Sequence, residues 1–315
     1  MSTVAVVFNP RAAGAEGRGV DGAAVERALA GHGVAARVAT VVGSDLVDAA
    51  REALDEGVEA LVAAGGDGTV SAVAGVLAGT GVALGVLPLG AFNHFAGDLG
   101  VPTDLDGAAA VMAEALAAGR RRRLDLAEIC GRPMLNNSIL GFYARAVSER
   151  GGGGGGRLAK GWRTTRAMGA VLRNPPLLDL VLVSDGRERR HRTPFLFVGN
   201  DEYTMNLFAF GARPRLSNGQ LFVHLVEAGD RSELLRLLAL WAVRDLRGLR
   251  RAESWTTGEL RVESALPELE VFVDGELLHL RPPLVYRSRP GALEVLAPPQ
   301  DGEGEGGQDA GGRGV

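Results

Sequence analysis

One cysteine stands in 315 residues, and Cys130 alone can form neither an internal disulfide nor a multi-cysteine metal cluster. The five histidines are scattered, with no His-x-x-x-His spacing for zinc. No Gly-x-x-x-x-Gly-Lys-Ser/Thr run occurs, which excludes a P-loop nucleotide hydrolase. Long apolar runs are also missing: none approaches the roughly 20 residues needed to cross a bilayer, and the opening MSTVAVVFNP is not a signal leader. A formal charge of -4 gives no bulk attraction to nucleic acid, so no nucleic-acid partner is expected. Together these absences lead to the expectation of a cytoplasmic protein, free or peripheral at the inner face of the membrane.

Glycine, by contrast, is abundant, and its placement is informative. Residues 60–64 are an apolar run, and Gly65, Gly66, Asp67, Gly68 and Thr69 follow it. Val70, Val73, Ala74 and Leu77 then fall on one helical face. A glycine loop between a strand and a helix lets backbone N–H groups approach a ligand, with the partial positive charge of the helix start behind them. Phosphate suits such a site; a tight turn whose Asp caps the helix is the plainer alternative. Around this loop strands and helices alternate: a strand at 3–8, a turn at Asn9-Pro10, a loose loop to Gly19, a helix at 20–30, a strand at 34–42 and a helix to about 56. Alternation of this kind predicts a parallel α/β sheet with ligands beyond the carboxyl ends of its strands.

Near Arg120 the pattern changes. Strand-like runs at 178–183, 192–198, 221–226, 258–263 and 269–273 predict a second, largely antiparallel domain, with helices at 157–173 and 231–251. The expected organisation is therefore residues 1–120, residues 121–297 and a disordered tail at 298–315. Six consecutive glycines at 151–156 read as a mobile loop.

Five motifs in order, Asn9-Pro10, Gly65 to Thr69, GVLPLGAFNHFA at 85–96, LDLAE at 124–128 and VDGE at 273–276, resemble the diacylglycerol kinase catalytic-domain family. That family includes bacterial lipid kinases and the sphingosine and ceramide kinases. The resemblance spans residues 3–297. It implies an α/β nucleotide-binding domain followed by a β-sandwich domain, with the active site in the cleft between them. It also implies ATP- and Mg²⁺-dependent phosphoryl transfer to a lipid hydroxyl, with a diacylglycerol-like acceptor first. By the same resemblance the ATP phosphates would lie on Gly65, Gly66, Asp67, Gly68 and Thr69, with Asn9, Thr40, Gly90 and Asn93 nearby. Asp67 repels phosphate unless a Mg²⁺ or its waters lie between them. Asp125 matches an aspartate at the cleft; pairing with one of Arg120 to Arg123 is its alternative. Glu276 matches the family's catalytic base. A structural Mg²⁺ would be held near Arg215, Asn218 and Gln220, partly through backbone carbonyls.

Three positions depart from the family pattern: Ala91 replaces a hydroxyl residue, His94 an acidic one, and Asn218 an aspartate. Helix 157–173 combines basic residues with Trp162, as an interfacial helix would, and so does an exposed helix packed on a sandwich. Family members are often dimers, and the resemblance leaves a homodimer open here. NAD kinases share the Gly-Gly-Asp-Gly-Thr loop and supply an alternative, a soluble dinucleotide acceptor. A catalytically silent nucleotide- or lipid-binding regulator is a further one.

Overall fold

Strands β1 (Val4–Phe8), β2 (Ala36–Thr40), β3 (Ala60–Gly65) and β4 (Ala83–Pro88) form a parallel sheet in the order β2-β1-β3-β4. The computed structural model describes residues 4–141, 177–206, 209–210, 213, 216–228, 230, 232–233 and 252–299. The expected six-glycine loop, the helix at 157–173, nearly all of the helix at 231–251, Arg215 and residues 300–315 lie outside them. In β1, β3 and β4 every residue is buried, as strands covered on both faces require. Crossovers are made by α1 (Ala13–Arg18), α2 (Gly22–Gly31), α3 (Asp45–Asp55) and α4 (Asp67–Leu77); α5 (His94–Leu99) and α6 (Leu105–Ala117) follow β4. Helix α1 occupies the stretch expected as a loop. Two glycines and two alanines in six residues give no apolar period there, and Arg18 fixes the turn by donating to the Gly14 and Thr103 carbonyls.

Strand order reverses between β1 and β3. A crevice opens beyond their carboxyl ends, where Asn9 and the glycine loop emerge.

The remaining strands are β5 (Arg122–Ile129), β6 (Arg132–Met134), β7 (Asn137–Gly141), β8 (Leu178–Ser184), β9 (Arg187–Thr193), β10 (Phe195–Asn200), β11 (Met205–Asn206), β12 (Ala209–Phe210), β13 (Leu221–Val226), β14 (Ala252–Thr257), β15 (Glu259–Ser264), β16 (Leu269–Val273), β17 (Glu276–Leu280) and β18 (Leu284–Val295). One antiparallel sheet runs β14-β13-β10-β7-β16-β17. The other is continuous with the parallel sheet, because the end of β18 pairs in parallel with β4 and its start pairs antiparallel with β15, followed by β8 and β9. These two sheets enclose a core that includes Leu140, Leu180, Leu196, Val223, Leu260 and the fully buried Tyr286. An α/β domain with a parallel sheet and a mainly antiparallel β-sandwich domain are thus both present.

The expected strand at 192–198 is two strands in different sheets. Pro194 has no N–H for a ladder, and Thr193 turns the corner by donating from Oγ1 to the Phe195 and Val226 carbonyls, both at 2.7 Å. The first core is also discontinuous in sequence: Leu124, Leu126, Leu293, Val295 and Leu296 join it although they follow residue 120.

Candidate active site

The N-cap of α4 is Gly66, which has no side chain to cap the first turn, so the N–H groups of that turn are left for a ligand. Each glycine of the loop answers a contact. A Cβ on Gly65 would fall 2.5 Å from Thr69 Oγ1, and one on Gly90 would fall 2.5 Å from the Gly66 Cα, so the loops after β3 and β4 lie backbone against backbone. Asn93 holds the second loop in place. In the left-handed conformation (φ 53°), it accepts from the Gly90 N–H at 2.7 Å and donates to the Gly90 carbonyl at 3.2 Å. Its amide is therefore engaged with backbone, and Asn93 does not line the cleft.

Asn9 donates from Nδ2 to Thr69 Oγ1 at 3.1 Å, which leaves the threonine O–H free to donate elsewhere. Asp67 accepts from the His94 and Phe95 N–H groups at 3.3 and 3.2 Å, so its carboxylate caps α5. The His94 ring stacks on the exposed Phe92 with centroids 5.6 Å apart. Thr40 ends β2 outside the cleft lining.

On the opposite wall β16 and β17 form a hairpin through Asp274 and Gly275, both at positive φ (46° and 99°), as two-residue hairpin turns require. The turn separates two acids with different surroundings. Asp274 is buried and accepts from Ser71 Oγ (2.8 Å) and from the N–H groups of Leu135 (2.6 Å), Asn136 (2.8 Å) and Asn137 (3.1 Å). Burial pushes its carboxyl above the usual range against the pull of those four donors. Glu276 is exposed, and its Oε1 lies 3.1 Å from where a Cβ on Gly68 would stand. The cleft between these walls has a volume of about 1170 Å³. Arg11, Arg51 and Arg132 also line it. Sequence reasoning missed these arginines and the Ser71–Asp274 contact, because exposed arginines carry no pattern and a bond across 203 positions leaves no local signal.

Asp125 does not line the cleft. Its carboxylate accepts from the Gly291 N–H at 2.7 Å, inside the bulge of β18, and from the Gly219 N–H. None of Arg120, Arg121 and Arg123 pairs with it: Arg120 meets Glu114, Arg121 meets Glu59 and Glu294, and Arg123 meets Glu294. Its acidic neighbour is Asp201, fully buried, which accepts from the Asn218 N–H at 2.8 Å and donates its own N–H to the Gln220 carbonyl. Burial first, and then the hydrogen bond to Asp125, push Asp201 up to about 7. Asp201 Oδ2 has no donor among the described residues unless the two acids share a proton. Nearby, Arg213 joins the domains: its guanidinium meets Asp98 of α5 at 2.7 Å and donates to the Leu135 carbonyl and Asn136 Oδ1, each at 2.8 Å.

The Asp201 orphan oxygen is, among the described residues, the one acidic lone-pair site there left without a donor, since the loop 218–220 turns its Asn218 and Gly219 N–H groups toward the two carboxylates. Asp67 retains lone pairs for a metal-bound water. Among the described residues no group of three or more His, Cys, Asp or Glu side chains could hold a metal ion, so a cation at either place would need phosphate, backbone carbonyls or water as further ligands.

A glycine loop at a β1/β3 switch point, faced across a cleft by an exposed carboxylate from a β-sandwich, defines a two-domain protein with an α/β half and a β-sandwich half. The diacylglycerol kinase catalytic domain model matches residues 3–129. A diacylglycerol kinase of Mycobacterium tuberculosis is 30% identical over 302 residues, covering 88% of this chain and 91% of that protein. The chain belongs to the diacylglycerol kinase catalytic-domain family. A Chromohalobacter salexigens protein described as "probable lipid kinase YegS-like" is 40% identical over 124 residues, and the match spans only 38% of either chain. The crystal structure of a diacylglycerol kinase from Bacillus anthracis superposes with a TM-score of 0.63 over 95% of this chain and 97% of that one; at 18% identity this likeness concerns the fold.

Proposed function

We propose that the protein is an ATP- and Mg²⁺-dependent lipid kinase that transfers the γ-phosphoryl group to the hydroxyl of a diacylglycerol-like acceptor. The observation that carries the reading is Glu276 of the second domain standing directly over Gly68 of the glycine loop. A phosphoryl group resting on the first turn of α4 would have its acceptor hydroxyl on the Glu276 side.

In this reading Gly66 and Gly68 bring backbone N–H groups to the phosphate oxygens. Thr69, with its oxygen held by Asn9, donates its O–H to another. Arg11, Arg51 and Arg132 draw the polyanion into the cleft. Magnesium, which Asp67 and the phosphates themselves would hold, would supply neutralisation of the phosphate charge. Glu276 accepts a hydrogen bond from the acceptor hydroxyl, aligns its oxygen with phosphorus and takes the proton as the bond to the leaving ADP breaks. A carboxylate is a weak base toward an alcohol, so alignment contributes more than early proton removal. Asp125 acts as a positioning residue through the Gly219 and Gly291 backbone. A second cation at the loop 218–220 would compensate the Asp125–Asp201 pair. The acceptor comes from a bilayer, so the protein works peripherally at the membrane; no described helix is long and apolar enough to cross one.

The test is transfer from labelled ATP with Mg²⁺ into a panel of lipid alcohols in mixed micelles, with NAD as a parallel soluble acceptor. Labelled diacylglycerol is expected, and Glu276→Gln should lower kcat about 100-fold or more while ATP binding is kept. Label only in NADP would replace this reading with a dinucleotide kinase, and ATP binding with no transfer would leave a regulator. Unchanged turnover in Glu276→Gln would remove the role given to that residue.

A further inference from the structure

The far edge of the β-sandwich carries a polar slot. Edge strands β9 and β14 belong to opposite sheets, and their registers show which side chains turn inward. On β9, Arg187, Arg189 and His191 pair with Ser184, Leu182 and Leu180 of β8, of which Leu180 and Leu182 lie in the sandwich core. On β14, Glu253, Trp255 and Thr257 pair with Leu225, Val223 and Leu221 of β13, all in that core. Direct cross-strand partners share a face, so the last inward row between the sheets is charged where the preceding rows are apolar. A cavity of about 540 Å³ lies between them.

The wall carries two arginines, Arg187 and Arg189, and two carboxylates, Asp185 and Glu253, of which only Arg189 and Glu253 pair with each other. Arg189 reaches across the sandwich to Glu253 at 3.5 Å, His191 Nδ1 lies 2.7 Å from Glu227 Oε1, and Asp185 accepts from Thr257 Oγ1 at 3.1 Å. Arg187 has no ionic partner among the described residues. Beneath the slot His191, whose side chain is 5% exposed, leaves Nε2 without a partner, and Trp255 leaves Nε1–H without one. Polar atoms buried in this way are costly unless something satisfies them. Both side chains form part of the cavity wall.

We propose that this slot is a binding site for a phosphate-bearing ligand, separate from the glycine-loop cleft. Arg187 supplies an unpaired positive charge and a forked pair of donors, and the Trp255 indole supplies a third. His191, held through Nδ1 against Glu227, sets its unpartnered Nε2 on the same side, and a tetrahedral oxyanion accepts from several directions at once. Five strand steps separate β14 from β17, or about 24 Å at the usual spacing, so the ligand touches none of the groups around Glu276. The site therefore belongs to an effector and stands whether or not the kinase reading holds.

Indole N–H resonances of the full-length ¹⁵N-labelled protein test this, with the Trp255 signal identified by its loss in Trp255→Phe. Two probes are titrated: inorganic phosphate, and phosphatidylcholine vesicles with or without phosphatidic acid. A saturable shift of the Trp255 signal is expected, weakened at least about tenfold in Arg187→Ala, whose exposed side chain makes the variant safe to fold. A response to inorganic phosphate identifies a soluble ligand; a response only to vesicles with phosphatidic acid identifies a lipid headgroup. Phosphate taken up at the glycine loop leaves this signal in place. No saturable shift with either probe, or equal affinity in Arg187→Ala and His191→Gln, would overturn the proposal.

Discussion

Gly68→Ala separates stability from catalysis. Gly68 lies in the first turn of α4 without positive φ, so alanine fits its backbone. Within 4 Å the added methyl would meet only Glu276, Oε1 at 3.1 Å and Cδ at 3.8 Å, and that flexible side chain can retreat by a few tenths of an ångström. Helix propensity then favours alanine by about 0.5–1 kcal/mol, which for a chain of this size raises Tm by roughly 1–3 °C. Activity should move the other way. The methyl occupies the space over the first-turn N–H groups and pushes away the carboxylate that aligns the acceptor. A displacement approaching 1 Å can cost about 100-fold. The expected loss in kcat/KM is about 10- to 100-fold, or about 1.4–2.7 kcal/mol of transition-state stabilisation. Thermal unfolding and labelled-ATP transfer into diacylglycerol micelles read the two effects on one preparation. Unaltered transfer would show that the phosphoryl group does not pass between Gly68 and Glu276, and a Tm lowered by several degrees would refute the open space over Gly68.

Ser71→Ala removes one of four donors to a buried carboxylate and should lower stability by about 1.5–3 kcal/mol in urea unfolding; Asp274→Ala strands three backbone N–H groups and should lower it at least twice as far. Equal losses would mean that water replaces Asp274. The Asp201 pair predicts a pH dependence. Its folded-state pKa of about 7 lies above the ordinary 3.8, so between those values the folded state holds a proton that the unfolded state has lost, and stability falls as pH rises through that window. Asp201→Asn should flatten the profile in thermal melts from pH 4 to 8, and added MgCl₂ at pH 8 should raise the wild-type Tm more than the variant's. A wild-type curve with no decline across the window would remove the proton-sharing pair.

The α/β half was legible because its signals are local. Fully apolar strands, capped helices and the glycine loop each declare themselves within ten residues, and β3 and α4 fall where the apolar run and the helical period put them. Failures came where a residue's meaning depends on a distant partner. Pro194 breaks a continuous β-like run into two sheets, and only the pairing of β10 with β7 and β13 shows it. Helix α1 is held by Arg18 reaching across 85 positions to Thr103. The motif order carried the cleft itself, but it placed Asp125 there although the β18 bulge draws that carboxylate away.

The VDGE stretch shows why motif and geometry are needed together. Its two acids stand two positions apart, and only one is free to act. Asp274 is held by four donors, one of them on α4 three residues beyond Gly68, so the hairpin that bears Glu276 is tied to the helix that follows the glycine loop. Arg213 makes a second tie through Asp98 of α5, and α5 is itself capped by Asp67 of the same loop. A wide hinge opening between the domains would break the Ser71–Asp274 hydrogen bond and the Arg213–Asp98 ion pair together, while the backbone donors of Asp274 and the Leu135 and Asn136 partners of Arg213 stay with the second domain. The cleft is accordingly preorganised. Under the proposed kinase reading, substrate entry would then depend on the arginines that line the cleft, Arg11, Arg51 and Arg132, more than on movement of one domain against the other.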